Sequence, residues 1–252
     1  MKPKKALGQN FLTSIPARIA IVEAGEVVPS DSILEIGPGK GFLTQSLIET
    51  GAHVTALEKD SDLIPLLTEK FCANKNFTLI EGDALTHNPE APGYKLIANI
   101  PYYITGAILE RYLSHVNQPT TMVVLVQKEV AVRVCAKEGK ESILSLSVKA
   151  YGEPKLVYKV SRGSFNPIPT VDSAVLQIKN ISRKNFKNQY HEQMFFNIVK
   201  AGFAHKRKYL LSNLKEKIPT TNWQEVFLKQ NVNEKTRAED VPLATWLTIS
   251  IL

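Results

Sequence analysis

The stretch that most limits what this chain can become is SILEIGPGKG, residues 32–41, where a short apolar run passes straight into a turn with glycine at 37, 39 and 41. Phe42, Leu43, Leu47 and Ile48 follow at the spacing of one helical face. Strand, glycine turn, helix is the opening unit of an α/β fold built on a parallel sheet. Glycines there let the backbone approach a ligand with no Cβ in the way. The spacing is G-x-G-x-G and lacks the G-K-[S/T] of a phosphate-binding loop, so the turn alone does not choose the ligand.

The segments downstream sharpen the choice. Residues 53–57, 78–81, 94–98 and 121–127 read as four more apolar strands, and 155–160 and 174–179 as two further ones. The first four strands of the series each end in a candidate polar contact: Glu35 and Gly37, then Glu58, Asp83 and Asn99. Open parallel sheets bind ligands at the carboxyl ends of their strands. One acid at a strand end can be a helix cap or a surface charge; four in succession at one edge are poorly explained that way. Glu58 stands where a carboxylate accepts both hydroxyls of a ribose, and Asp83 where it accepts the amino group of an adenine. Glu35, just before the glycines, suits a cationic amino-acid end better than a phosphate. S-adenosylmethionine, with an adenine, a ribose, a cationic methionine end and no phosphate, fits this set better than a dinucleotide.

Asn99-Ile100-Pro101-Tyr102 then closes the fourth strand. The Asn99 amide oxygen and the Pro101 carbonyl can accept hydrogen bonds from an exocyclic amine, and Tyr102 can stack on the base that carries it. Asn and Pro are also ordinary turn residues, so the tetrapeptide in isolation is equally a strand ending in a turn. Phe165 opens a stiff segment with prolines at 167 and 169. It is either a loop aromatic plugged into the core or a second face sandwiching the base against Tyr102, since an enzyme that modifies a base must compensate its lost stacking.

Composition bears on organisation and partners. The 252 residues carry a net charge of +7, and residues 1–175 are balanced, so the whole excess lies in the last 77. That asymmetry fits a neutral catalytic domain, 1–184, followed by a basic helical one, 185–252, although a lysine-rich solvated surface has the same charge. In the second, His205-Lys206-Arg207-Lys208 forms a compact positive run suited to phosphates. The two cysteines and five histidines show no ligand spacing, so no structural metal is expected. No apolar run reaches the roughly 20 residues of a membrane span, and the lysine-rich N-terminus lacks a signal peptide's apolar segment; a cytoplasmic monomer is expected.

Taken together, Q-N-F-L at 9–12, E-I-G-P-G-x-G, the strand-end acids, N-I-P-Y, L-V-Q-K-E-V and F-x-P-x-P-x-V-D-S-A-V-L resemble the ribosomal RNA adenine N6-dimethyltransferases. The basic segment after G-F-A and the terminal R-A-E-D extend the resemblance over nearly the whole chain, toward the bacterial 16S branch. It implies a Rossmann-like class I methyltransferase, α/β, with a mostly parallel sheet, a terminal antiparallel strand and a small all-α C-terminal domain. It implies transfer of methyls from S-adenosylmethionine to two adjacent adenosines near the 3′ end of 16S rRNA. Cofactor contacts fall by position on Asn10, Leu12, Gly37, Glu58, Asp83 and Asn99, amine orientation on Asn99 and Pro101, and base stacking on Tyr102 and Phe165. Lys206, Arg207 and Lys208 fall to RNA contacts. Tyr103 and Gly106 depart from the residues usual after the tetrapeptide. The 23S rRNA methyltransferases of the resistance type, and a non-catalytic assembly factor on the same fold, are the alternatives.

Overall fold

The computed structural model describes residues 4, 7–136 and 139–251. The chain forms two compact units, one of residues 1–132 and 152–181, the other of 133–151 and 182–252. The second therefore takes in a segment upstream of the single division near 184 that composition suggested.

The first unit is a seven-stranded sheet in the order β4-β3-β2-β5-β6-β9-β7, formed by β2 (Ser32–Ile36), β3 (His53–Glu58), β4 (Phe77–Glu81), β5 (Lys95–Asn99), β6 (Thr121–Gln127), β7 (Glu153–Val160) and β9 (Ser173–Lys179). β4 through β6 are parallel, and β9 runs antiparallel to both of its neighbours. The last strand in sequence is thus the antiparallel one, set one place in from the edge. β1 (Phe11–Leu12) and β8 (Phe165–Asn166) form a separate two-stranded ladder.

Continuous apolar runs such as Leu96-Ile97-Ala98, fully buried, are what a parallel sheet covered on both faces requires. Among the covering helices, α1 (Ile15–Gly25) buries Ala17, Ile21 and Ala24. Ser14 caps it, accepting from the Ala17 amide, and Pro16 occupies its first turn. α2 (Phe42–Glu49) starts at Gly41, whose φ of +76° and 2.5 Å clearance to the Phe71 ring leave no room for a Cβ. Phe71 ends α3 (Ile64–Phe71), a helix that went unread in the sequence although Pro65, Leu67 and Phe71 carry its signal. α4 (Thr105–Ser114) follows β5, and α5 (Lys128–Val134) follows β6.

What positions the site is the strand order. β2 leads through α2 to β3 on one side, whereas β5 returns to its other side. A crevice opens at the carboxyl ends where the direction of winding reverses.

The second unit is helical: α6 (Ile143–Lys149), α7 (Gln189–Gly202), α8 (Leu210–Lys217), α9 (Trp223–Lys229) and α10 (Leu243–Ile249). Segment 133–151 belongs here for a physical reason. The Tyr151 ring packs on Phe186 and Phe196, its hydroxyl donates to Glu192, and the Glu141 amide donates to the Glu239 carbonyl at 2.9 Å. No helix among the described residues is long and apolar enough to cross a membrane.

Candidate active site at the strand ends

The glycine turn is tied to its neighbours by backbone bonds. The Gly37 amide donates to the Leu57 carbonyl at 2.9 Å, and the Gly39 amide donates to Glu58 Oε2 at 3.1 Å. Gly37 has φ +67°, and a Cβ there would stand 3.8 Å from the Asn99 carbonyl, in the space between two strand ends. Glu58 Oε1 accepts from the Asp60 amide at 2.8 Å. Burial raises the Glu58 pKa, and these amides partly oppose the shift.

Asp83 follows β4 by two residues. Its Oδ2 accepts from Lys59 Nζ at 2.7 Å and its Oδ1 from the Leu85 amide at 2.9 Å. Lys59 and then Leu85 hold its pKa below the ordinary value, so it stands as an ionised acceptor.

At the end of β5, Asn99 Nδ2 donates to the Asn10 carbonyl at 3.2 Å. That bond fixes the amide plane and leaves Oδ1 as an acceptor. The Pro101 carbonyl accepts from the Ile104 amide at 3.2 Å, in the short turn Tyr102–Ile104, and retains its second lone pair. The Tyr102 hydroxyl is 2.7 Å from Ser173 Oγ at the start of β9, which pins the ring; burial raises its pKa.

These groups share one cleft, about 800 Å³ with the open solvent at its mouth included. Asn10, Gly37, Glu58, Asp83, Asn99, Pro101 and Tyr102 all line it. Leu12 and Phe165 do not. They face each other in the β1–β8 ladder, 5% and 2% exposed, within the hydrophobic core. Phe165 thus occupies the core position that was the plainer of its two sequence readings. Glu35 also stands off the wall, 1% exposed.

Two supporting residues, Lys59 and Asp60, were missed in the sequence, whereas Tyr103 was singled out there as a departure beside the tetrapeptide. Lys59 neutralises Asp83, and the exposed ring of Tyr103 lies 3.0 Å from where a Gly8 Cβ would be. Asp60, 3% exposed, accepts from Lys4 Nζ at 2.5 Å and Gln9 Nε2 at 2.7 Å, latching the N-terminal segment over the cleft. Burial works against the Asp60 charge, yet Lys4 and Gln9 hold its pKa below the ordinary value. Only the E-x-D spacing at 58–60 hinted at this pairing.

The cleft suits an adenosyl group with a cationic tail. The carboxylates of Glu58 and Asp83 stand along its wall at successive strand ends, and Gly37 and Gly39 line it without a Cβ. The model of the ribosomal RNA adenine dimethylase family matches residues 1–252. The chain belongs to the ribosomal RNA adenine dimethylase family. It is 39% identical to the ribosomal RNA small subunit methyltransferase A of Fusobacterium nucleatum, over 98% of this chain and 96% of the relative. The enzyme of that name from Nostoc sp. is 35% identical, over 100% and 98%. Among solved structures, a Plasmodium falciparum dimethyladenosine transferase superposes with a TM-score of 0.82 at 25% identity, over 95% of each chain. The 23S rRNA methyltransferase ErmE gives 0.79 at 27%, covering 96% and 98%. Rossmann-like architecture and membership of this enzyme family are thereby established for the dimethylase described here.

Proposed function

We propose that this dimethylase transfers methyl groups from S-adenosylmethionine to N6 of two adjacent adenosines near the 3′ end of 16S rRNA, giving N6-dimethyladenosine late in small-subunit assembly. The observation that carries the reading is the convergence of Asn99, Pro101 and Tyr102 with Gly37, Glu58 and Asp83 in a single cleft. The small-subunit names of its full-length relatives favour 16S over 23S rRNA.

Gly37, Glu58 and Asp83 would hold the methionyl, ribose and adenine parts, and the bound cofactor supplies a methyl already activated on a sulfonium. The chain's residues then have an orienting task. An adenine amine is a poor nucleophile because its lone pair is delocalised into the ring. Asn99 Oδ1 and the Pro101 carbonyl accept its two hydrogens and aim the lone pair at the methyl, while Tyr102 stacks on the base. Alignment of this kind supplies much of a bimolecular barrier reduction. The N6 proton leaves to solvent, so no side chain has to act as base. We assign the unit of residues 1–132 and 152–181 to this chemistry and the basic helical unit, with Lys206, Arg207 and Lys208, to rRNA phosphates; the protein works as a cytoplasmic monomer.

Incubation with labelled S-adenosylmethionine and unmethylated small subunits, or large-subunit RNA, tests the proposal by nucleoside mass spectrometry. Dimethyladenosine in the small subunit alone is expected. Label in the large-subunit RNA would move the protein to the resistance branch, and no label with tight subunit binding would make it an assembly factor.

The Asp60 latch makes a separate prediction. Asp60→Asn removes the charge that faces Gln9 and one of the two carboxylates that hold Lys4, the other being Asp62 at 2.6 Å. S-adenosylhomocysteine should bind about tenfold more weakly in calorimetry; unchanged affinity would show that the latch does not close on the cofactor.

A further inference from the structure

The positive charges of the helical unit are not equally available. In the turn after α7, Lys206 and Arg207 are exposed and make no ion pair among the described residues. Their neighbours are engaged by one carboxylate. Glu216, in the last turn of α8, accepts at Oε1 from His205 Nε2 at 3.1 Å and Lys217 Nζ at 3.0 Å, and at Oε2 from Lys208 Nζ at 2.9 Å. Lys208, Lys217 and His205, in that order of effect, pull its pKa down to about 2, so it is ionised under all ordinary conditions.

Two features make this carboxylate a stand-in and not a structural anchor. It lies at the negative end of the α8 dipole, where an acidic side chain is disfavoured and lysines are favoured, so only its cationic partners hold it there. It is also 40% exposed, and ion pairs at that exposure are weak and exchange readily. A carboxylate and a phosphate present the same anionic oxygens to ammonium and imidazole donors. The convergence of three donors from both ends of α8 on one anion therefore describes an anion site already filled from within.

We propose that Glu216 is an internal phosphate mimic, occupying in the free protein a site where Lys208, Lys217 and His205 bind an RNA phosphate. The inference rests on the rRNA-binding reading and deepens it. The basic face then has two classes of contact. Lys206 and Arg207 are always open, whereas Lys208, Lys217 and His205 become available only as Glu216 is displaced. A stray polyanion meets a reduced positive charge, and only RNA held in place by further contacts gains the second set. The device suppresses sequence-independent binding, which counterion release from phosphates otherwise dominates.

The test measures binding of the full-length protein to unmethylated small subunits between about 50 and 200 mM salt. Glu216→Gln is expected to bind about fivefold more tightly at the low-salt end, with a log–log salt slope steeper by about 1 to 1.5, as for two freed lysines at about 0.7 each. Glu234→Gln makes the same change in net charge at an exposed residue outside any ion pair among the described residues, and should change affinity less than about twofold with the slope unaltered. If the two variants behave alike, general charge accounts for the effect and the proposal is overturned. Lys208→Gln provides a check that tolerates small changes in folding: it should weaken binding more in the Glu216→Gln background than in the wild type, and an equal effect in both counts against the mimic. The double variant Lys206→Ala, Arg207→Ala separates this failure from that of the parent reading. If it binds as the wild type does, the helical unit's basic run is not an RNA contact at all, whatever Glu216→Gln shows.

Discussion

An Asn99→Ala variant is expected to lose methyl transfer by about 10²–10³-fold or more while binding small subunits as the wild type does. Groups aimed at a reacting centre typically contribute on this scale. Asn99 is particularly exposed to such a loss because its side chain has two jobs. Nδ2 donates to the Asn10 carbonyl at 3.2 Å, tying the N-terminal segment to the strand end, and under the proposed mechanism Oδ1, left free by that bond, accepts from the target amine. Alanine removes the acceptor and the tie together. Asn99→Asp separates them, since a carboxylate keeps an acceptor but cannot donate to Asn10. It should therefore retain more activity than alanine, with weaker cofactor binding. Single-turnover transfer and subunit binding, measured side by side, decide the matter. Near-normal methylation by Asn99→Ala would falsify the assigned role of the amide.

The second large effect concerns stability. Glu35 is buried in the middle of β2, flanked in register by Ala56 and Ile97. Its Oε2 lacks a hydrogen-bond partner, as does the nearby Thr44 hydroxyl. Burial above all raises its pKa from 4.5 to about 8, with the Thr44 side chain opposing slightly and Glu58 adding to the rise. The folded group therefore keeps its proton where the unfolded one has lost it. Its contribution to stability is fully present below pH 4.5 and is lost progressively as pH rises to about 8. At about 1.4 kcal/mol for each tenfold change in proton affinity, the full loss amounts to about 5 kcal/mol, of which about 4 falls between pH 5 and pH 9. Glu35→Gln cannot ionise. Its stability should fall by about 4 kcal/mol less than the wild type's between pH 5 and pH 9 in urea denaturation. Comparing the two pH differences cancels the constant cost of burying an amide. Equal pH dependence in both proteins would show that Glu35 does not titrate on unfolding.

Much of this architecture was readable from local pattern. The strand ending in Ile36 and the one ending in Gln127 fall where the apolar runs do, and Glu58, Asp83 and Asn99 meet in the cleft because strand order brings consecutive parallel strand ends together. What escaped was set by contacts distant in sequence. Whether Phe165 faces a ligand or the core depends on Leu12, its partner across the β1–β8 ladder, which no window around either residue reveals. Lys59 drew no reading at all, because its partner Asp83, 2.7 Å away, lies 24 residues on. α6 escaped because its seven residues, ILSLSVK, alternate apolar and polar from Leu144 onward, as a strand would; the Ser142–Ser145 capping box makes them a helix.

The β1–β8 ladder also bears on how the molecule matures. Thr13 and Ser164, which continue it, are 151 residues apart in sequence. A closure that long forms late, since the entropy of the intervening loop must be overcome first. Asp60 and Asn99 can hold the N-terminal segment early, yet the β1–β8 pairing itself cannot form until Phe165 and Asn166 have emerged. β7 waits in the same way, joined to the sheet only through β9. A growing chain can thus carry its glycine turn and strand-end acids before the β1–β8 ladder backs them, and both the ladder and the far edge of the sheet are completed together with residues 165–179.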